Sequence, residues 1–413
     1  MALIFRNISS FTKSSVSKRL FSSSAHRNSD YSHIVIGGGV VGTAIAAKLA
    51  EDTYKKTGSP ASILLAERHY RLCTETSARN SGVIHAGLYF APDALRTKLC
   101  IKGKNMIYDA ASKGIPIELQ RCGKWIVAQD EKQAQYLDGL LKKGTSLGIP
   151  LEFVSLDKAK ELEPAVKANT AILNSPSTGI VDAHSIVSYS EAEFEKYGGD
   201  ISLLTRVTAI EKTPQNTYKV TLKSRLSEED TEEEEIVLEA DAVVNAAGHG
   251  APAVSNMLLP ETRHFTAYYA KGSYFLYQSS HPKVNRLIYP CPSDYGSLGT
   301  HLTIDLGGQI KFGPDFEWVD SPNDLTPNPA NLPQAIEAIT QYMIGLDTSL
   351  LVPDYAGIRP KIINTKDFQD FIIREEEGFP GFVNLLNIES PGLTSSLAIA
   401  EYVSNIYNGV PNI

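Results

Sequence analysis

Cysteine is scarce. The 413-residue chain has four, Cys73, Cys100, Cys122 and Cys291, and no two of them stand in a CxxC spacing. That argues against a zinc site or a redox dithiol, and four thiols in so long a chain make no disulfide framework, so all are expected to be free. Long apolar runs are missing as well. The longest uncharged one, Ile34 to Ala47, is broken by glycines and falls short of the roughly 20 residues that cross a membrane. No transmembrane helix is expected, although peripheral membrane contact stays open. A basic field is also absent: 39 Lys and Arg against 47 Asp and Glu leave a formal charge of −8, unsuited to general nucleic-acid binding.

Acidic residues are missing from one place in particular. Met1–Ser29 carries Arg6, Lys13, Lys18, Arg19, Arg27 and many serines, with no Asp or Glu before Asp30. This is the composition of a mitochondrial transit peptide, without the continuous apolar core of a secretory signal. Arg19-Leu20-Phe21-Ser22 resembles a matrix-protease cleavage site. A mitochondrial address is expected, residues 1–29 are set aside from the fold, and a disordered tail without an address is the alternative.

What the remainder contains is alternation. Tyr31 to Ile36 reads as a buried strand, Val40 to Ala50 as a helix, and Ala61 to Glu67 as a second strand, with Glu51 to Pro60 looping out between them. That is a βαβ unit with a parallel pair of strands. Helical spacing follows at Lys102–Lys113 and Glu131–Leu147, around a strand at Gly123–Ala128, and a short helix covers Leu156–Glu163. Strands are expected at Thr205–Glu211, Tyr218–Ser224, Glu235–Glu239 and Ala242–Ala247, with the acidic block Ser227–Glu235 as a solvated hairpin tip. Further strands at Gly272–Tyr277 and Gln309–Phe312, a turn at Gly307-Gly308, a helix ending near Leu346, a strand at Phe382–Ile388 and a helix from Leu393 to Tyr407 complete the chain. A chain of this length is expected to hold two domains.

Between the first strand and helix stands Gly37-Gly38-Gly39-Val40-Val41-Gly42. In a GxGxxG turn the first glycine permits the tight turn, the second admits a pyrophosphate to the backbone, and the third lets helix and strand pack closely. The helix N-terminus offers free N–H groups to the phosphates. Glu67 ends the next strand, 25 positions after Gly42, where a carboxylate accepts hydrogen bonds from ribose hydroxyls, and Arg68 follows it. No second GxGxxG appears downstream to hold a nicotinamide. Instead Thr76-Ser77-Ala78-Arg79-Asn80-Ser81-Gly82 offers a small polar segment to wrap a pyrophosphate and ribityl chain. The strand Val243–Ala247, ending at Ala247-Gly248, offers backbone to an adenine half. FAD is the expected cofactor.

These features resemble the D-amino-acid-oxidase-like superfamily of FAD-dependent oxidoreductases. The general likeness lies in the N-terminal glycines with Glu67, in Thr205-Arg206-Val207, in Asn245-Ala246-Ala247-Gly248 and in the C-terminal Gly-rich turn. A narrower likeness, to the L-2-hydroxyglutarate dehydrogenase family, rests on six segments in order along the chain. They are Arg79 to Tyr89, with Leu95 and Cys100 downstream; Cys122 to Ala128; Lys271-Gly272-Ser273-Tyr274-Phe275; Leu298-Gly299-Thr300-His301-Leu302-Thr303; Gly357-Ile358-Arg359-Pro360-Lys361; and Ser390 to Ser396. Position 271 is Lys where the family leads one to expect Arg, and position 90 is Phe where an aromatic hydroxyl is common. The resemblance implies oxidation of L-2-hydroxyglutarate to 2-oxoglutarate, an electron acceptor other than oxygen such as a quinone or an electron-transfer protein, and mitochondrial residence.

Such a reaction needs a base for the hydroxyl proton, transfer of the α-hydrogen as hydride to flavin, and donors for two carboxylates. His85 and His301 are the candidate bases, since imidazole is neutral near pH 7. Arg359 is the candidate carboxylate clamp, with Gly357 giving close approach to the flavin ring and Lys271, Tyr274 and Tyr89 as partners. Gly392, Leu393 and Thr394 open a helix whose N–H groups would face the flavin's pyrimidine end. The fold class expected is α/β, a Rossmann-type FAD domain (31–110, 170–262, 355–410) interleaved with an antiparallel-sheet substrate domain (111–169, 263–354). Alternatives are an amino-acid or sarcosine oxidase, a glycerol-3-phosphate dehydrogenase, or a non-catalytic flavin-binding assembly or RNA-modification partner.

Overall fold

A computed structural model describes residues 29–292 and 300–412; the transit-peptide reading of the first 28 residues, and Leu298-Gly299, lie outside them. Three apolar strands pair in parallel at the centre of the first sheet. Tyr31–Ile36 lies between Ile63–Ala66 and Glu234–Asn245, with Ile36 level with both Ala66 and Asn245. The register therefore brings Gly37, Glu67 and Ala246 out at one end, where ligands meet open α/β sheets. Asp200–Ser202 extends the sheet on one side, and Thr205–Lys212 with Tyr218–Ser224 on the other. Phe382–Leu386 joins Val243–Asn245 in parallel and carries Ile372–Glu375 antiparallel.

Helices Val40–Thr57, Ala183–Lys196 and Gly392–Asn408 cover one face, and Leu95–Ser112 packs outside the last of them. The segment expected to loop out at Glu51 remains helical to Thr57. Lys48 pairs with Glu51 and Asp52, and Lys55 with Glu51, at the (i, i+3) and (i, i+4) spacings that support a helix. Gly58, with φ of 69°, ends it by donating its N–H to the Tyr54 carbonyl. The long interval between Gly42 and Glu67 thus holds about four turns of helix before the strand Ile63–Ala66. Another reading also changes: Glu235–Glu239 and Ala242–Ala247 form one strand, Glu234–Asn245, which crosses from the outer hairpin into the parallel centre.

The second sheet has nine strands, antiparallel except where Leu287–Pro290 runs parallel to Lys124–Ala128. Trp125, Phe275, Tyr277, Tyr289, Phe312 and Tyr342 fill the core beneath it. One strand and most of another fall in this sheet although the sequence division puts 170–262 and 355–410 in the FAD domain. Ala171–Ser175 pairs with Lys124–Ala128, and Leu351–Lys361 with Tyr268–Tyr277. Both alternate or run apolar like any strand, and only pairing partners decide sheet membership. All four cysteines are free. Among the described residues no helix is long and apolar enough to cross a membrane and no cluster could hold a metal ion.

Candidate active site

One cavity of about 1250 Å³ runs from the end of the first sheet to the face of the second. It is larger than the few hundred to about 1,000 Å³ usual for small-ligand pockets. At its first end lie Gly37, Gly39, Val40, Val41 and Gly42. A Cβ on Gly42 would sit 1.9 Å from the Gly37 carbonyl oxygen, so only glycine brings the helix this close to the strand. Glu67 is buried, its two carboxylate oxygens accepting from the backbone N–H groups of Gly38 (2.7 Å) and His69 (2.8 Å). Arg68 is tethered by its Nε to Glu75 (2.8 Å), a carboxylate that also meets His69 and His249. Val207, Ala247 and Gly248 close this end.

The segment Thr76–Gly82, expected to wrap the cofactor, runs along the cavity wall. Ser77 Oγ accepts from the Val40 N–H at the helix start (3.0 Å). Asn80 donates to the carbonyls of Thr76 (3.0 Å) and Ser77 (2.7 Å), and accepts from the Gly82 N–H. Ser77, Asn80 and Ser81 line the cavity. Gly82 does not; its carbonyl faces outward and accepts from the Val181 N–H, so it shapes the wall from behind. Gly357 lines the cavity, yet a Cβ there would meet the Arg79 carbonyl at 2.0 Å. Its smallness lets the second sheet abut the wrapping segment, a reason different from the one the sequence gives.

At the other end, Thr394 Oγ1 donates to the Val83 carbonyl and accepts from the His85 N–H, both at 3.0 Å. That stitches the last helix, 309 positions away, onto the short strand Val83–Ile84 and aims His85 into the cavity beside Gly392, Leu393 and Thr394. His85 Nε2 lies 3.5 Å from Ser390 Oγ. Burial, with Lys124 and His301 adding their charges, pushes the His85 pKa down to about 3, so the ring is neutral at ordinary pH. His301, on the strand His301–Ile304, is buried and stacks on Tyr289 with ring centres 3.9 Å apart. Tyr274 bonds Ser81 (3.0 Å) and stacks on Tyr355.

Arg359 also reaches the cavity. Its guanidinium lies over the Phe316 ring and has no hydrogen bond or ion pair to any described residue. Lys271 does not join it. Along Tyr268–Tyr277, Gly272 and Tyr274 point into the cavity while Lys271 points out of the opposite face, where Asp324 (2.8 Å) and Glu317 (3.4 Å) take its ammonium.

Sequence reasoning passes over four further groups. Lys361 shares the Arg359 face two positions on, and alternation alone predicts that. Its ammonium and Arg96 both meet Glu389, at 2.8 and 3.2 Å. Burial would raise the Glu389 pKa, but Arg96 and Lys361 hold it below the ordinary carboxylate value. Lys124 is fully buried within the otherwise apolar strand Lys124–Ala128, and that lone charge in an apolar run is a signal.

A glycine turn at the carboxyl end of a central parallel strand, a buried acid on the next strand and a second sheet closing a large cavity define a dinucleotide-binding enzyme. The chain belongs to the FAD dependent oxidoreductase family, whose model matches residues 32–406. It is 37% identical to the mitochondrial L-2-hydroxyglutarate dehydrogenase of Arabidopsis thaliana, over 90% of this chain and 82% of that one. It is 27% identical to a glycerol 3-phosphate dehydrogenase of Caloramator mitchellensis, over 91% and 73%. Among solved structures, the L-α-glycerophosphate oxidase of Mycoplasma pneumoniae with FAD bound superposes with a TM-score of 0.79 at 25% identity, covering 92% and 94%. The cofactor is FAD, and the cavity fits it: the tight packing at Gly42 sets the start of the helix at the cavity, where its N–H groups would take the phosphates, and the buried Glu67 would take the ribose hydroxyls.

Proposed function

We propose that the enzyme oxidises L-2-hydroxyglutarate to 2-oxoglutarate. The observation that carries this is Arg359, a cavity guanidinium with no anion of its own, in the same chamber as the neutral His85. An unpaired arginine fork matches a carboxylate bidentately and fixes the α-carbon beside it. His85 accepts the hydroxyl proton as the C–O bond becomes C=O, and the entering carboxylate raises its pKa toward the useful range. Bound FAD supplies the acceptor for the α-hydrogen and its electron pair. Tyr274, held by Ser81, and Tyr89 donate to the substrate's oxygens. Electrons then leave for a quinone or an electron-transfer protein, and the name of the Arabidopsis relative supports a mitochondrial location.

The relatives named for glycerol phosphate support a second reading, because a phosphate dianion also suits Arg359. A turnover screen with an artificial electron acceptor separates them. Activity on L-2-hydroxyglutarate, with none on glycerol 3-phosphate or amino acids, is the expected outcome.

A further inference from the structure

Lys124 lies on an interior strand of the second sheet with its ammonium fully buried between two phenol rings. Its Nζ lies 4.6 Å from the Tyr89 ring centre and 4.5 Å from that of Tyr289. Its single hydrogen bond among the described residues goes to Tyr89 Oη (3.1 Å), and it has no ion pair. The titratable groups around it are Tyr89, Tyr289, Cys100 on the helix Leu95–Ser112, and His85; none is a carboxylate. Removing an ammonium from water without an anion is costly, and burial pushes its pKa down to about 7.

Hydrogen-bond direction indicates where the missing anion belongs. Tyr89 Oη accepts from Lys124, so its own proton is left to donate elsewhere, and Tyr89 lines the cavity. Tyr289 lines it too, and its buried hydroxyl has no hydrogen-bond partner among the described residues. Two unspent phenol donors backed by one cation thus face the chamber that Arg359 and His85 also face. Arg96 and Lys361 each already hold an ion pair, shared on the single carboxylate of Glu389, whereas Lys124 holds none.

We infer that Tyr89 and Tyr289, charged from behind by Lys124, form a second carboxylate subsite that selects dicarboxylates. It takes the carboxylate that Arg359 does not hold, and in that respect it rests on the 2-hydroxyglutarate reading. Tyr89 and Tyr289 touch the ligand; Lys124 is a positioning residue that acts through them.

The test measures dissociation constants from the flavin absorbance change of the holoenzyme. Two ligands that cannot reduce flavin are compared: 2-oxoglutarate, and the monocarboxylate 2-oxopentanoate of the same chain length. In K124M and Y89F the 2-oxoglutarate constant should rise roughly ten- to hundredfold, the loss of a charge-assisted hydrogen bond, with 2-oxopentanoate changed less than about twofold. Y289F should follow with a smaller change, and K124R should restore part of the preference. Equal weakening of both ligands, or an unchanged preference in Y89F and K124M, overturns the subsite. If K124M does not fold, the two Phe variants, which keep the rings, decide. Failure of L-2-hydroxyglutarate to reduce the wild-type flavin would remove the substrate reading yet leave this preference measurable, so the two failures are distinct.

Discussion

The two ends of the cavity are built from different materials. At the dinucleotide end the contacts are backbone: the Gly37–Gly42 turn, the N–H groups at the helix start and one carboxylate pinned by two amides. At the chemical end they are side chains brought from five separate segments, His85, Tyr289, His301, Arg359 and Thr394. A backbone site must be written contiguously, because one short turn supplies every atom. A side-chain site depends on strand register and on long-range stitches such as Thr394 to Val83.

Breaking the backbone end should have the largest effect. Gly42→Val places a methyl-bearing carbon where the Gly37 carbonyl already stands, and should yield protein with essentially no flavin by its flavin-to-protein absorbance ratio. The side-chain end should break differently, keeping flavin and losing chemistry. His85→Gln should retain FAD and lower kcat on the order of a hundred- to ten-thousandfold. Arg359→Ala should lower kcat/KM about a hundredfold, with Arg359→Lys recovering only part, since an ammonium cannot replace the bidentate fork. Near-normal turnover in His85→Gln would dissolve the contrast between the two ends.

Smaller effects sharpen it. Lys271→Met should leave KM within about twofold, because Lys271 faces away from the cavity, and should lower the thermal unfolding midpoint, because a buried ammonium paired with the partly exposed Asp324 and Glu317 is lost. A large KM increase would return Lys271 to the site. The pH dependence is the subtlest. The folded-state pKa of His85 lies below the ordinary 6.5, so the unfolded chain binds its proton more readily. Its contribution to stability is therefore complete above about pH 6.5 and is lost as pH falls toward 3, by at most about 1.4 kcal/mol per pH unit. The apoprotein of His85→Gln should show a shallower acid limb in its unfolding midpoints.

Legibility in the sequence follows the same division. Tyr31–Ile36 and Tyr218–Ser224 emerge with the bounds read from apolar patterning, and the glycine turn and Glu67 stand where their spacing places them. The helix past Ala50 was illegible to hydrophobic period alone, because its last turns are polar and held by charge pairs. Sheet membership of Ala171–Ser175 and Leu351–Lys361 was hidden because pairing is non-local. Lys271 misled because a motif names a residue without saying which face of the strand it occupies. Lys124 went unread although it stood in plain view within an apolar run. Its meaning needed Tyr89 and Tyr289, 35 positions before it and far beyond it in sequence, to close around it.

The central claim is that a flavin bound by backbone is reduced by a dicarboxylate held by side chains. Anaerobic titration of the purified holoenzyme with L- and D-2-hydroxyglutarate, followed by flavin absorbance, tests it most directly. Stoichiometric bleaching by the L enantiomer, with none by the D enantiomer, is the predicted result. Bleaching by neither, or by glycerol 3-phosphate or an amino acid in its place, would contradict it.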